Sequence, residues 1–303
     1  MAKLSLSKPQ SKTIMISIPA YNEERDIGRV LDEIHKAMSM TSYRYRILVY
    51  DDGSRDRTVE ISRQHGALVV SHKRNKGLAQ TFRDEMAECI RLKADVIVHT
   101  DADGQYPADA IPRLLEKIDA GYDLVLGSRF KSGRVPLPFL KRLGNHAFAI
   151  VLSQLTGLRL TDTTTGFRAF TREVAEQITF INTFTYTQEQ IIKAAKQKFR
   201  IAEIAIPSRR TRSSRLFKSP WQYAVKAWIN IFRIYRDYEP LSFFGRIGGA
   251  FFALGFVIGL WLLYRFAMYG SVGRLPSTIL SMLLMMIGLQ IILFGFLADM
   301  MKR

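Results

Sequence analysis

VIVHTDADGQYP, running from Val96 to Pro107, is the stretch on which the reading of this chain turns. Its first half is β-branched and apolar, the composition of a strand buried on both faces. It stops abruptly at Asp101, Asp103 and Gln105. Two carboxylates this close together at the end of a buried strand repel one another and lose hydration, so something positive belongs between them. A hard divalent cation, Mg²⁺ or Mn²⁺, answers that need: it takes one or two carboxylates and leaves the rest of its shell to substrate phosphates. No His/Cys set has zinc spacing, and His99 reads as a packed histidine rather than a ligand.

The same design recurs upstream. TIMISIPA (Thr13–Ala20) and YRILVYDDGS (Tyr45–Ser54) are apolar runs that also end in polar clusters, PAYNE at 19–23 and DDGS at 51–54. Between and after them the chain alternates amphipathic and apolar segments. Helices are predicted over Glu23–Met38, Asp56–His65, Leu78–Leu92 and Asp109–Ala120, and further strands at ALVVSH (67–72), DVIVHTDADG (95–104) and DLVLGSR (123–129). Such alternation predicts β-α-β units and an α/β domain with a mostly parallel sheet. Ligands of these sheets bind outside the carboxyl ends of the strands, where all three clusters fall. In DDGS an acid can accept from a ribose or a base, while Ser54 or Asp56 caps the next helix; both can hold at once. Tyr21 can pack on a base, and Glu23 can reach a sugar hydroxyl.

Composition narrows the partners. A formal net charge of +17 implies an anionic one: nucleic acid, acidic lipid headgroups or a phosphorylated substrate. Much of the excess lies just before the C-terminal apolar segments and no familiar nucleic-acid motif is present, so nucleic acid is set aside. The single cysteine, Cys89, rules out an intrachain disulfide and suits a reducing cytosolic setting. No secretion signal is read at the N-terminus.

The C-terminus holds two uncharged runs, Ile247–Tyr264 and Ile279–Ala298, each close to the ~20 residues that cross a hydrocarbon core. They predict a transmembrane hairpin. Arg233, Arg236 and Arg246 precede it and Lys302 and Arg303 follow, whereas the intervening loop carries only Arg265 and Arg274. Positive-inside logic then puts both ends, and the α/β domain, in the cytosol. Gly245, Gly249, Ala253, Gly255 and Gly259 predict close helix packing within the hairpin, with homo-oligomer formation as the alternative use. Upstream, Trp221, Val225, Trp228 and Phe232 recur at helical spacing among Lys226, Arg233 and Arg236, the pattern of a helix lying in the headgroup layer against membrane lipids. SRRTRSSR (208–215) gathers Arg209, Arg210, Arg212 and Arg215, whose forks match phosphate oxygens; attraction to anionic lipid in general is the plainer alternative. Three regions follow: 1–210, the catalytic domain; 211–240, a basic loop and juxtamembrane amphipathic helix; and 241–303, two transmembrane helices.

Taken together, PAYNE, DDGS, DADGQYP, GSRF (127–130), DTTTGFRAF (162–170) and the two C-terminal spans resemble the motif series of family 2 inverting glycosyltransferases of the GT-A (Rossmann-like) fold. Within that family they are most similar to polyprenyl-phosphate glycosyltransferases of the dolichyl-phosphate mannose synthase type. No Gln-x-x-Arg-Trp motif is present, which sets aside a processive polysaccharide synthase. Gly104 stands where some relatives carry leucine.

The resemblance implies a nucleotide-sugar donor, of GDP-mannose or UDP-glucose type, and a polyprenyl phosphate acceptor, dolichyl or undecaprenyl. It implies that Pro19, Ala20, Tyr21, Glu23, Asp51 and Asp52 hold the nucleoside, and that Asp101 and Ala102 approach the ribose and diphosphate. Asp103 and Gln105, beside Asp101, would bind the metal. Arg129 and Arg209, with others of the arginine-rich loop, would face the acceptor phosphate; Asp103, Arg129 and Arg209 would carry catalysis. Asp162 would position a sugar or phosphate group, or cap a turn, and Arg168 would tie its loop to the sheet. A transferase acting on another membrane lipid or lipid-linked saccharide is the nearest competing reading, and a non-catalytic, membrane-tethered nucleotide-binding protein the more distant one.

Overall fold

The computed structural model describes residues 12–131, 139–178, 186–207, 209, 225, 229, 232–271 and 275–301. Arg210, Arg212, Arg215 and the two tryptophans at 221 and 228 lie outside the described residues. The chain separates into two compact units, Met1–Ala224 and Val225–Arg303, each taken by itself below.

The first unit is an α/β domain with a seven-stranded sheet. Its strands are β1 (Thr13–Ala20), β2 (Arg44–Asp51), β3 (Leu68–Ser71), β4 (Val96–His99), β5 (Leu124–Ser128), β6 (Arg168–Thr171) and β7 (Ile201–Ala205). Its helices are α1 (Ile27–Ser39), α2 (Thr58–Gln64), α3 (Leu78–Arg91), α4 (Ile111–Asp119), α5 (Phe139–Thr156), α6 (Arg172–Gln177) and α7 (Tyr186–Lys196). The strand order is β3-β2-β1-β4-β6-β5-β7. Strands β1 to β4 pair in parallel, β7 is parallel to β5, and β6 alone runs antiparallel to both its neighbours. The order reverses between β1 and β4, which opens a crevice at their carboxyl ends.

Burial explains why these runs are strands. Ile14 through Ile18 are all buried, so β1 shows no alternation, as expected of a strand covered by helices on both faces. Helix α1 buries Ile27, Val30, Leu31, Ile34 and Met38, the three-and-four spacing of one helical face. It starts at Ile27 rather than Glu23. The preceding amides are taken by the β2–α2 loop: Asn22 N–H donates to Ser54 Oγ (2.9 Å), Glu23 N–H to Thr58 Oγ1 (2.8 Å) and Glu24 N–H to Asp56 Oδ2 (3.1 Å). PAYNE and DDGS are thus knitted into one surface. Strand β4 ends at His99, earlier than its sequence suggests. Thr100 N–H still reaches Ser17 O (3.1 Å), and the chain then turns through Gly104 at φ +70°.

The second unit contains a helical segment over 232–238 and two long apolar helices, α8 (Pro240–Tyr269) and α9 (Leu275–Met300), which hold 18-residue stretches with mean hydropathies of 2.0 and 2.4. They form a transmembrane hairpin. The residues buried along the seam are Gly248, Gly255 and Leu262 on one helix and Ser281, Gly288 and Gly295 on the other, spaced by seven in each. A methyl group on Gly248 would lie 2.5 Å from Gly288 O, and one on Gly288 would lie 2.6 Å from Gly248 O. Ser281 Oγ donates to Gly255 O at 2.7 Å. Of the small residues that the sequence suggests, Gly255 lies in the seam and a methyl group on Gly259 would lie 3.2 Å from Ser281 Oγ, whereas one on Gly245 or Gly249 would meet nothing within 4 Å. A seven-residue repeat keeps contact on a single stripe of each helix.

Candidate active site

The carboxyl ends of β1, β2, β4 and β5 converge with the loop preceding β6. At the β1–β2 side Pro19 is partly covered, Ala20 is buried and Tyr21 stands exposed at the lip. The paired aspartates divide their work. Asp51 accepts the N–H of Ser54 (3.0 Å) and so shapes its own turn. Asp52 accepts a ring nitrogen of His72 (2.8 Å) and Lys76 N–H (2.8 Å) on one oxygen and Gly77 N–H (2.9 Å) on the other. The nucleoside residue pair expected from the sequence is thus one acid facing its turn and one acid holding the 72–77 loop.

At the end of β4, Ala102 is buried between Asp101 and Asp103. Asp103 Oδ1 accepts Gln105 N–H at 2.9 Å, which folds the turn back on itself. Burial, and then the charge of Asp103, push the Asp101 carboxyl up to about 6, against the pull of His99 and Arg129. Among the described residues no group of three or more His, Cys, Asp or Glu is placed to hold a metal ion. Two carboxylates and the Gln105 amide oxygen nonetheless fit a hard cation that keeps part of its shell for phosphates.

Strand β6 explains how a distant motif reaches this point. Because it runs antiparallel, with Arg168 opposite His99 in register, the loop 161–167 arrives beside Asp101. A methyl group on Gly166 would fall 2.9 Å from Asp101 Oδ1, so only glycine admits that approach. Tyr106 Oη accepts Gly166 N–H (3.1 Å), and its ring stacks on Phe167 with centroids 5.4 Å apart. Arg168 is fully buried; it donates to Thr187 O (3.2 Å), to Gln190 Oε1 (2.8 Å) and to Thr165 O. As a residue of β6 that bonds Thr165 O, it ties the loop to the sheet, and it reaches α7 as well.

Arg129, at the end of β5, is forked by Asp162. Nε lies 2.7 Å from Oδ2 and Nη2 lies 2.9 Å from Oδ1, while Nη2 also donates to Thr164 Oγ1 at 2.9 Å. Both residues are buried. Glu203 of β7 in turn accepts the N–H groups of Thr161 (2.9 Å) and Asp162 (3.1 Å). Arg129 thus presents a fixed charge near Asp101, oriented by Asp162. Arg209 sits at the other lip: its N–H donates to Gln105 O (3.1 Å) and its guanidinium reaches Glu33 on α1 (2.7 Å). His99 is packed, as expected, against Glu85 Oε1 (3.1 Å) and the Phe82 ring.

Sequence reasoning passes over Glu203, Tyr106, His72 and Asp84. Only Glu203 carries a local signal, a carboxylate inside the apolar strand IAEIA.

Comparison with known proteins agrees with this architecture. Residues 15–179 match the model of glycosyl transferase family 2, and residues 228–302 that of the glycosyltransferase family 2 C-terminal transmembrane region. The chain is 38% identical over 199 residues, 65% of its length and 82% of the relative's, to a dolichyl-phosphate hexose transferase of Haloferax volcanii. It is 27% identical over 296 residues, 96% of its length and 94% of the relative's, to glycosyltransferase AglJ of the same organism. With a dolichol-phosphate mannosyltransferase of Pyrococcus furiosus it shares 33% over 173 residues, covering 54% of this chain and 48% of that one. Glucosyl-3-phosphoglycerate synthase from Mycobacterium tuberculosis, crystallised with Mn²⁺ and UDP-glucose, superposes with a TM-score of 0.58 at 20% identity over 73% of this chain and 79% of that one. At that identity the likeness is one of fold.

Proposed function

Because the chain belongs to glycosyltransferase family 2 and carries that family's C-terminal transmembrane region, we propose that it transfers a hexose from a nucleotide sugar to a polyprenyl monophosphate. The donor is of the GDP-mannose or UDP-glucose type, the acceptor is of the dolichyl type, and the reaction runs at the cytosolic membrane face with inversion at the anomeric carbon. The observation that carries this reading is the Asp101–Asp103 pair at the crevice between β1 and β4, where burial and the neighbouring carboxylate raise the Asp101 carboxyl. The names of the relatives, dolichyl-phosphate hexose transferase and dolichol-phosphate mannosyltransferase, support the acceptor. The arginines and lysine flanking the hairpin support the orientation.

In this reading the nucleoside lies against Pro19, Ala20, Tyr21, Glu23 and the Asp51–Asp52 turn, and the diphosphate lies over Asp101 and Ala102. Asp101, Asp103 and Gln105 hold Mg²⁺ or Mn²⁺, which when bound offsets the negative charge that builds on the departing nucleotide. Arg129, locked by Asp162, adds a fixed positive charge on the same side. The basic run that begins at Arg209, with Arg210, Arg212 and Arg215, receives the acceptor phosphate. A phosphate monoester has its second pKa near ~6 and is mostly ionised at neutral pH. The chain's task is therefore to align the nucleophile more than to deprotonate it.

The test is direct. Membranes containing the chain and polyprenyl phosphate are given labelled GDP-mannose and UDP-glucose in turn. Labelled lipid that releases its sugar in mild acid is expected with one of them, and absence of labelled lipid with every nucleotide hexose tried overturns the proposal.

A further inference from the structure

One buried side chain at the nucleoside end of the crevice, His72, takes no part in the scheme above. His72, just after β3, is 9% exposed and stands between two carboxylates. Its Nδ1 lies 2.8 Å from Asp52 Oδ1 and its Nε2 lies 2.9 Å from Asp84 Oδ2. Each ring nitrogen therefore has a carboxylate oxygen as its partner. Tyr50 of β2 packs its ring edgewise on the imidazole, with centroids 5.0 Å apart. Asp84, on α3, also receives Gln80 Nε2 (2.9 Å) and Lys76 Nζ (3.4 Å).

These contacts close a ring of structure. Asp52 holds His72 at the start of the 72–77 loop and the amides of Lys76 and Gly77 at its end. The middle of that loop rests on DDGS itself. Gly53 adopts φ +77°, and a methyl group there would meet Arg74 C at 2.8 Å and Asn75 N at 2.9 Å. The 72–77 loop is therefore pressed onto the turn that Asp51 shapes, and His72, with Lys76 Nζ beside it, ties both to Asp84 on α3.

We propose that His72 is a positioning residue for donor binding: by bridging Asp52 to Asp84 it clamps the 72–77 loop onto the 51–54 turn and fixes the wall against which the nucleoside lies. This rests on the donor-binding reading of the same crevice.

The experiment uses the full chain in detergent or nanodiscs. Hydrogen exchange at the Lys76 and Gly77 amides reads the clamp, and binding of UDP and of GDP, each with Mn²⁺, reads its consequence. In His72→Gln the two amides are expected to exchange at least about tenfold faster and the nucleotide Kd to rise about tenfold, the scale of one hydrogen bond to a charged group. Transfer at saturating donor should stay within about twofold, the KM-against-kcat split of a ground-state contact.

Unchanged exchange in the variant overturns the clamp. Faster exchange with an unchanged Kd overturns the positioning role. Should the wild-type chain bind neither nucleotide, the donor reading falls, while the exchange measurement still decides the clamp. Asp84→Asn removes the outer charge and leaves Asp52 in place, so it serves if His72→Gln does not fold. It is expected to weaken nucleotide binding roughly threefold, and an affinity equal to wild type in that variant overturns the proposal as well.

Discussion

Asp162 and Arg129 form a buried two-point fork, Nε to Oδ2 at 2.7 Å and Nη2 to Oδ1 at 2.9 Å, that joins the loop before β6 to the end of β5. Neither partner has water to fall back on. Removing one strands the other, at a cost of about 3–5 kcal/mol for a buried pair. Asp162→Ala should lower the stability of the first unit by that order in denaturant titration of the full chain. Replacing both by apolar residues of similar volume should recover much of the loss without restoring transfer. A single-variant loss below about 1 kcal/mol, the range of an exposed pair, contradicts the fork.

Asp103→Ala should leave the chain folded and reduce transfer by at least about a hundredfold, the scale on which one preorganised electrostatic contact acts. Activity measured with a labelled nucleotide sugar, beside a circular-dichroism melt, separates the two effects. Full activity in this variant removes the metal assignment.

The Asp101 carboxyl, pushed up to about 6, gives a pH signature with a definite sign. Between about 4, the unfolded value, and about 6 the folded chain binds the extra proton. This group's contribution is therefore most favourable at low pH and is lost as pH rises through that window. Asp101→Asn should flatten this part of the stability profile. Mn²⁺ should raise the melting temperature more at pH 7 than at pH 5, since proton and cation compete for one carboxylate. Equal cation effects at both pH values count against the site.

Gly166→Ala places a methyl group 2.9 Å from Asp101 Oδ1. The carboxylate must shift by a few tenths of an ångström, a fraction of the ~1 Å misplacement that costs on the order of a hundredfold in rate, so a loss of roughly threefold to tenfold is expected. Steady-state transfer should show that loss; unaltered turnover argues that Asp101 does not need its observed place.

In the membrane-spanning hairpin, Gly288→Val should loosen the α8–α9 seam, because the added methyl meets Gly248 O at 2.6 Å. Overpacking of this kind costs about 1–3 kcal/mol. Gly249→Val, which faces nothing within 4 Å, should melt like wild type in the same detergent. If both variants behave alike, the seven-residue seam is not what holds the helices together.

How much of this was legible in the sequence follows from the range of each interaction. Strands β1, β2 and β4 are continuous apolar runs that end in polar groups, so burial and the strand ends carrying Asp51, Asp52, Asp101 and Asp103 could be read locally. The start of α1 could not, because its amides are taken by Ser54, Thr58 and Asp56 from another loop. Nor could the reversal of β6, whose four residues carry no mark of direction. His72 and Glu203 act on partners 20 and 41 residues away, a distance over which periodicity says nothing. The hairpin's small residues were visible, but which stripe faces inward depends on both helices at once.

Arg209 N–H is bonded to Gln105 O, so in the proposed reading the residue that completes the metal's oxygen set and the first cation of the acceptor run are joined by one main-chain hydrogen bond. Loading at one end is then mechanically audible at the other. An enzyme wired this way should favour a compulsory sequence of arrival over random encounter, and initial-rate patterns with both substrates varied would register it.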